Sequence, residues 1–586
     1  MKRLISVLLG ISVLMTFMFF NASDINGQVK STKLKPVRAV KFTGTPKIIM
    51  RRAKLESPEK MKVYKIKTMA VQTNLIQKLS DRHFLKVKPI TVRKRMAPQV
   101  KLYRDKGKDF TRMIVNQKRG HIELLPNLKK LGAAKIRLLQ KGSALSKARK
   151  YIGEMKLIPK DVSRFTAKKV VTLSSILVRG EKQKSALKMS RGRGGTPKLQ
   201  SVLFQRTVNG KPVMGEGSQL VVNLGNNGNV EGFQRSLNHL GATNIKGKFR
   251  TGNEVYDRIA QVLKREIQGD VVVNVSKPRL VYYGNDRKYV QPAYFFTAKI
   301  TNPKSKVESY YGGFVEALKN SPERIVTTPR IEKSALPKAP LRKIKGLKMK
   351  RKMSAAVPFD DPYVGRYVNR NDSKHWIADA NDFKRGLIAG HCGGCPPITF
   401  PQYYWNYPRL FQSQDNYFVD RCHVVLMEGH GANWLFSTLK NCCDLVKLNS
   451  TAQPGYGGHA GGRMTFLILK SCSVVPGPLD RADWAKPWWR IFKGLRQAIG
   501  FRTTMYINDD ISYRFGYYLA RNCRVLDSWF YATNKSSKYQ WQRFWGGSVP
   551  GYGAVVMIPG QEGAGIYHIS RAPKATSTGL RIWYQH

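Results

Sequence analysis

Acidic side chains are scarce in this sequence: 36 Asp and Glu stand against 103 Lys and Arg, leaving a formal net charge of +67. A chain so short of negative charge adheres to polyanions such as acidic polysaccharide, acidic lipid or nucleic acid. Sequence-specific readout is not implied, because no zinc-finger spacing or base-stacking signature accompanies the charge. A solvated basic surface without a partner accounts for the same surplus. Long apolar runs are missing after residue 20, so no later segment is able to span a bilayer as a helix. The N-terminus has a basic start (Lys2, Arg3), an apolar stretch over residues 4–20 and the small pair Ala22 and Ser23. This is the shape of a secretory signal peptide over residues 1–23, with an uncleaved anchor as the alternative. No cysteine comes directly after it to carry a lipid. Cysteine is confined to the C-terminal third, at Cys392, Cys395, Cys422, Cys442, Cys443, Cys472 and Cys523. An odd number in an exported chain leaves at least one thiol unpaired within the molecule. With Cys472 set aside, the other six allow up to three disulfides. A second C-x-x-C is lacking as well. Cys392-Gly393-Gly394-Cys395, even with His391, Cys422, His423, Cys442 and Cys443 nearby, therefore completes no four-ligand zinc pattern. No metal or cofactor is assigned, and a zinc-dependent hydrolase is the remotest reading.

At 586 residues the chain has room for several domains. Residues 24–120 are rich in Lys and Arg with scattered prolines and weak periodicity, which predicts a basic, partly disordered arm. Residues 121–325 predict an α+β region. A helix carrying Ala144, Ala148, Tyr151 and Ile152 precedes meander-like strands over 201–224, with Asn209-Gly210 as a hairpin turn. A second helix (Val255, Tyr256, Ile259, Val262, Leu263) and strands near 271–275, 280–283 and 293–300 faintly repeat the unit. Residues 326–357 read as a linker with prolines and a basic cluster at 341–352, the kind of segment where nicking concentrates. Cleavage there is expected to release the C-terminal domain, an unprocessed linker being the alternative. In residues 358–586 short apolar runs alternate with helical stretches, which predicts a mainly parallel sheet with helices on both faces. Trp484, Trp488, Ile491, Phe492, Leu495 and Ile499 share helical spacing and predict a helix over 484–499, then a strand over 501–507 and a helix over 512–522. Further strands are expected at 554–558, 565–569 and 580–584.

Two of the apolar runs end in chemistry. Val424-Val425-Leu426-Met427 stops at Glu428-Gly429-His430-Gly431, and Phe466-Leu467-Ile468-Leu469 stops at Lys470-Ser471-Cys472. Neighbouring parallel strands would end at one edge of the sheet, where open α/β sheets bind ligands. The His430 imidazole and the Cys472 thiol would then share a crevice, as a thiol nucleophile and its base must. Main-chain N–H groups of Gly431 and Cys472 are the expected oxyanion donors. Trp434, Asp480 and Asp483 are candidates for a pocket. The two acids would select Lys or Arg, or would equally cap a helix beginning near Trp484. Tyr403-Tyr404-Trp405-Asn406-Tyr407 fits core packing better than sugar stacking.

These motifs resemble the caspase–gingipain–legumain clan of cysteine peptidases over roughly residue 360 to the end. The resemblance implies a caspase-like parallel sheet flanked by helices, and hydrolysis of protein or peptide substrates by a Cys472–His430 dyad without a cofactor. The longer text, with Trp434 and Ser473-Val474-Val475, is similar to an exported bacterial family known only as a domain of unknown function. Arg206-Thr207-Val208-Asn209-Gly210-Lys211-Pro212-Val213, with Gly215 and Gly217, resembles PepSY and fungalysin/thermolysin propeptide modules. That implies a helix packed on an antiparallel sheet and an inhibitory or chaperoning pro-domain, against a purely structural α+β domain. The expectation is an exported cysteine-peptidase-like protein of the periplasm, cell surface or medium. Its rival is a catalytically silent adhesin of the same fold that binds polyanions or envelope polymers.

Overall fold

Order begins earlier than the composition predicts. The computed structural model describes residues 44–340 and 361–586, apart from 69, 86–89, 92–99, 106–109, 181–194, 246, 286–287, 304–307, 327–330, 369–372, 393–394, 439–444, 568, 570–571 and 574. Within the stretch read as a basic arm, Lys47–Met50, Tyr64–Lys67, Val100–Arg104 and Thr111–Asn116 are strands and Thr73–Arg82 is a helix. The apolar pattern there is only four to six residues long per strand and is interleaved with lysine. Val100 and Leu102 are buried while Lys101 between them is exposed. The segment read as a signal peptide, residues 1–23, and the basic cluster at 341–352 lie outside the described residues. No helix among the described residues is long and apolar enough to cross a membrane.

Helix α1 (Lys141–Glu154) turns Ala144, Ala148, Tyr151 and Ile152 onto one face. It packs on strands β1 (Arg164–Val178) and β2 (Thr196–Val208). Asn209 (φ 48°) and Gly210 (φ 72°) both adopt the left-handed conformation that a two-residue hairpin requires, returning the chain into β3 (Lys211–Glu216). Strands β4 (Ser218–Leu224) and β5 (Val230–Leu237) come next. Helix α2 (Gly252–Glu266) starts at a capping box, Thr251 with Glu254. Three strands complete this half: β6 (Arg279–Asn285), β7 (Tyr289–Thr301) and β8 (Glu308–Glu316), antiparallel in the order β6-β7-β8.

In the second half β9 (Tyr363–Val368), helix α3 (Lys374–Gly390), β10 (Thr399–Trp405), β11 (Val424–Glu428), β12 (Phe466–Lys470) and β13 (Gln497–Phe501) succeed one another. The five strands are parallel, in spatial order β10-β9-β11-β12-β13. Helices α4 (Ile511–Ala520), α5 (Val525–Lys535) and α6 (Ser537–Trp545) lead to β14 (Gly553–Met557) and β15 (Leu580–Gln585), which extend the sheet antiparallel. The fold is mixed α/β. Helix α3 meets α4 closely enough that a Cβ on Gly386 would lie 2.0 Å from the Tyr513 carbonyl oxygen, so glycine is required there.

The sheet does not stop at the end of the second half. β15 pairs with β1 from Leu580↔Val178 to Gln585↔Leu173. Strands of the expected 121–325 and 358–586 regions thus form one ladder, and Leu173, Leu199, Tyr294, Val424, Ile468 and Trp583 share one core. The described residues of 44–338 and 361–586 together belong to one compact unit.

Three local expectations are corrected. The helix over 484–499 is a single turn, Trp488–Ile491, and Gln497–Phe501 is a strand, so the strand ends at residue 501 and does not run over 501–507. All six residues at helical spacing are buried, but Gly494 at φ 114° breaks the chain between them. Periodicity of burial alone does not separate a short helix plus a buried strand from one long helix. Gly500 lies in β13, where a Cβ would be 2.8 Å from the Leu469 carbonyl oxygen. Residues 565–567 form no strand.

Candidate functional site

β11 and β12 are adjacent and parallel, in register from Val424↔Phe466 to Glu428↔Lys470. His430 and Cys472 are each two residues beyond that last pair, so both leave the sheet at the same rim. The Gly429 N–H donates to the Lys470 carbonyl at 3.3 Å, carrying the ladder one step past the strands. Beyond it the Trp434 N–H donates to the Val474 carbonyl at 3.3 Å. Two non-glycine residues here have left-handed backbones, Trp434 at φ 60° and Ser473 at φ 51°. Such strain gathers at sites where geometry matters more than local comfort. Gly431 admits nothing larger: a Cβ would lie 2.1 Å from Ser471 Oγ and 2.7 Å from the Leu435 carbonyl oxygen. It pairs with Phe436 in a small antiparallel ribbon of strands 431–432, 435–437 and 445–447.

The sequence-predicted pair shares a rim, and among the described residues the bonds of the sulfur go elsewhere. Among the described residues the hydrogen-bond partner of Cys472 Sγ is Met505, whose N–H donates to the sulfur (3.4 Å) and whose carbonyl accepts from it (3.7 Å). Burial pushes this thiol up to about 11, opposed by the Met505 N–H and reinforced by Asp509. At neutral pH the sulfur is therefore held as a protonated thiol. The His430 ring meets Trp376 of α3 edge to face, with centroids 5.1 Å apart. Both side chains are nearly covered, Cys472 at 7% exposure and His430 at 6%.

The expected pocket residues are committed elsewhere. Arg481 stacks over Trp434 at 4.8 Å from the ring centroid. Asp480 accepts from Arg502 Nε (2.9 Å) and Nη2 (2.5 Å) and from the Gly477 N–H (2.8 Å). Asp483 pairs with Arg481 at the surface, at 3.0 and 3.1 Å. Both carboxylates are thus balanced by arginines of the chain itself, and neither caps a helix at 484.

Residues 406–545 match the model of a domain of unknown function, DUF6345. That span contains His430, Lys470, Cys472 and Asp509. No curated protein matches the chain. Among solved structures, an uncharacterized protein from Eubacterium rectale ATCC 33656 is 11% identical, over 45% of this chain and 86% of that one, with a TM-score of 0.28. The Bacillus megaterium YpeB C-terminal domain is 15% identical, over 43% of this chain and 94% of that one, with a TM-score of 0.21.

Of the up to three disulfides that the six other cysteines allow, one is present among the described residues. Cys392 and Cys395 form a disulfide, which removes their thiolates as zinc ligands, whereas Cys422 and Cys523 are buried free thiols. Burial explains their persistence: a Cβ on Gly365 would lie 2.9 Å from the Cys422 sulfur, and burial pushes that thiol up to about 12. Cys442 and Cys443 lie outside the described residues. Among the described residues no group of three or more His, Cys, Asp or Glu could hold a metal ion.

Beneath the rim lies a charged cluster that no sequence motif announced. Lys470, 1% exposed at its side chain, contacts Asp379 of α3, Asp509 Oδ1 at 3.0 Å and Glu428 Oε2 at 3.5 Å. Ser512 Oγ donates to Glu428 Oε1 at 3.0 Å, and the Tyr539 hydroxyl donates to Asp509 Oδ2 at 2.7 Å. Burial works to strip the lysine of its proton, but Asp379, Asp509 and Glu428 together hold it well above its usual value. Burial pushes the Glu428 carboxyl up to about 8 against the pull of Lys470, with Asp509 adding to the rise. A weaker signal for this cluster was present in the sequence: Glu428 and Lys470 are charged residues closing two otherwise apolar strands at registered positions.

The raised Glu428 carboxyl has a pH consequence. Between about 4.5 and about 8 the unfolded chain releases this proton while the folded chain keeps it. Its contribution to stability therefore declines as pH rises through that window. Glu428→Gln lacks the decline. Urea unfolding of both proteins at pH 5 and pH 8.5 should show the balance moving toward the variant by on the order of 2 kcal/mol at the higher pH. No change in the difference would contradict the assignment.

Proposed function

We propose that this protein is a latent cysteine hydrolase of peptide bonds, exported and caspase-like in its C-terminal half, with Cys472 as nucleophile and His430 as base. The observation that carries the reading is the register of β11 and β12, which ends two adjacent parallel strands on an imidazole and a thiol. The parallel order β10-β9-β11-β12-β13 and the left-handed Trp434 and Ser473 support it. In the active form the Cys472 proton passes to His430 and the thiolate adds to the scissile carbonyl carbon. The C–N bond breaks as the imidazolium gives its proton to the leaving amine, and water then hydrolyses the thioester. Main-chain N–H groups at Gly431 and Cys472 would receive the oxyanion. Latency results from the protonated, Met505-capped sulfur.

The test pairs peptide hydrolysis with alkylation mapping on the full-length protein between pH 6 and 9.5, with and without sub-denaturing urea to loosen the Met505 contact on the sulfur. Cys472→Ala should lower hydrolysis by at least about a thousandfold and remove the iodoacetamide label at that residue. Hydrolysis that survives the substitution defeats the proposal. The surplus of 103 basic over 36 acidic residues favours the second reading, a silent fold that binds polyanions. It gains if neither the parent nor the variant hydrolyses peptides while both bind an acidic polysaccharide equally.

A further inference from the structure

The loop after β13 holds the Cys472 sulfur on one side and grips the amino-terminal sheet on the other. Met505 engages the sulfur at 3.4 and 3.7 Å. The next residue, Tyr506, forms a parallel bridge with Tyr310 of β8, and the Ile507 N–H donates to the Tyr310 carbonyl at 2.8 Å. Asn508 then brackets Gly312: its Oδ1 accepts from the Gly312 N–H at 3.1 Å and its Nδ2 donates to the Gly312 carbonyl at 2.8 Å. β8 is already paired with β7 from Ala293↔Glu316 to Thr301↔Glu308, so the loop takes its other edge. Gly312 has little room to be anything else, because a Cβ would lie 3.1 Å from the Tyr506 ring. Tyr310, Met505 and Cys472 belong to one buried cluster.

This is main-chain recognition of an extended segment, with one side-chain amide reading both polar groups of a single residue. Resting on the hydrolase reading, we infer that residues 310–312 are a built-in strap occupying the position a substrate strand takes beside Cys472. The substrates are then extended peptide segments with a glycine two residues after the one whose carbonyl accepts from the Ile507 N–H. The strap accounts for the latency, because its release frees the loop that holds the sulfur.

Asn508→Ala in the full-length chain removes both side-chain bonds to Gly312 and leaves Cys472, His430 and Met505 intact. Iodoacetamide alkylation at fixed pH, mapped by mass spectrometry, should quicken about tenfold at Cys472. Cys422 and Cys523 should stay protected, and the Ile507 amide should exchange faster. Asn508→Asp, which keeps the acceptor and loses the donor, should fall between the two. Gly312→Val, which pushes β8 off the Tyr506 ring and keeps Asn508, should quicken the same alkylation, and there the peptide Ser-Tyr-Tyr-Gly-Gly-Phe, copying residues 309–314, should restore protection. The same peptide with valine for its first glycine should not. Unchanged alkylation at Cys472 despite faster exchange at Ile507 overturns the strap, as does failure of the first peptide to protect. Equal acceleration at all three buried thiols in both variants also overturns it, because the seam would then serve the fold as a whole. Protection by the peptide without hydrolysis of any peptide defeats the hydrolase reading alone, whereas hydrolysis without protection defeats the strap alone.

Discussion

Lys470→Met should cost about 3–5 kcal/mol of unfolding free energy, because it leaves Asp379, Asp509 and Glu428 in a buried site without their cation. Methionine fills a similar volume, so the loss measures charge compensation more than a cavity. Guanidinium unfolding of the full-length chain reads it directly, and a value within about 1 kcal/mol of the parent would contradict the role given to the cluster. Adding Asp379→Asn should return part of the loss, because one fewer carboxylate then faces the same apolar surroundings. The contrast is with Arg52–Asp257, whose side chains are 53% and 57% exposed. Breaking that pair should change stability by well under about 1 kcal/mol. The cluster also joins α3, the ends of β11 and β12 and the loop after β13. Its disruption should therefore raise alkylation at Cys472 before it reaches the helices farther away.

Cleavage within residues 341–352 should leave the two parts of the chain together. A Lys/Arg-specific protease used briefly under native conditions should give two bands on a denaturing gel and one peak on gel filtration. The reason is the ladder between β15 and β1 and the bonds around it. Thr111 Oγ1 donates to the Arg521 carbonyl at 2.6 Å, the Leu128 N–H to Asp527 Oδ1 at 3.2 Å, and the Tyr531 hydroxyl to the Phe233 carbonyl at 3.3 Å. Glu123 and Lys535 add a buried ion pair across the same seam. Separation would expose the edge of β1 and the apolar surface around Leu173 and Trp583, so the fragments should part only in denaturant. Two folded fragments eluting apart would show that the seam is weaker than its hydrogen bonds indicate. Release of the C-terminal part by nicking, the expectation from composition, is at odds with a shared sheet.

Short apolar runs bounded by glycine or charge made β11 and β12 legible. Both faces of those strands are buried, and no polar alternation had to be recognised. Asn209-Gly210 was legible because its left-handed backbone excludes most other residues. The region 484–501 was not legible. Helical spacing of Trp484, Trp488, Ile491, Phe492, Leu495 and Ile499 records only that each is buried. A loop, one helical turn and a strand bury them equally well. Order before residue 120 was hidden by lysines on the open faces of short strands.

The amino-acid order by itself determined that an imidazole and a thiol each close an apolar strand, that the chain is strongly basic, and that helices alternate with strands toward its end. These are local facts, fixed by spacing and by side-chain chemistry. Only the tertiary structure decided that Met505 engages the sulfur from a loop bonded to the β8 edge, that Lys470 gathers three carboxylates, and that the two halves share one sheet. Each of those depends on contacts between residues tens to hundreds of positions apart. Burial and hydrogen-bond pairing select such contacts over the whole fold, and no window of sequence contains both partners.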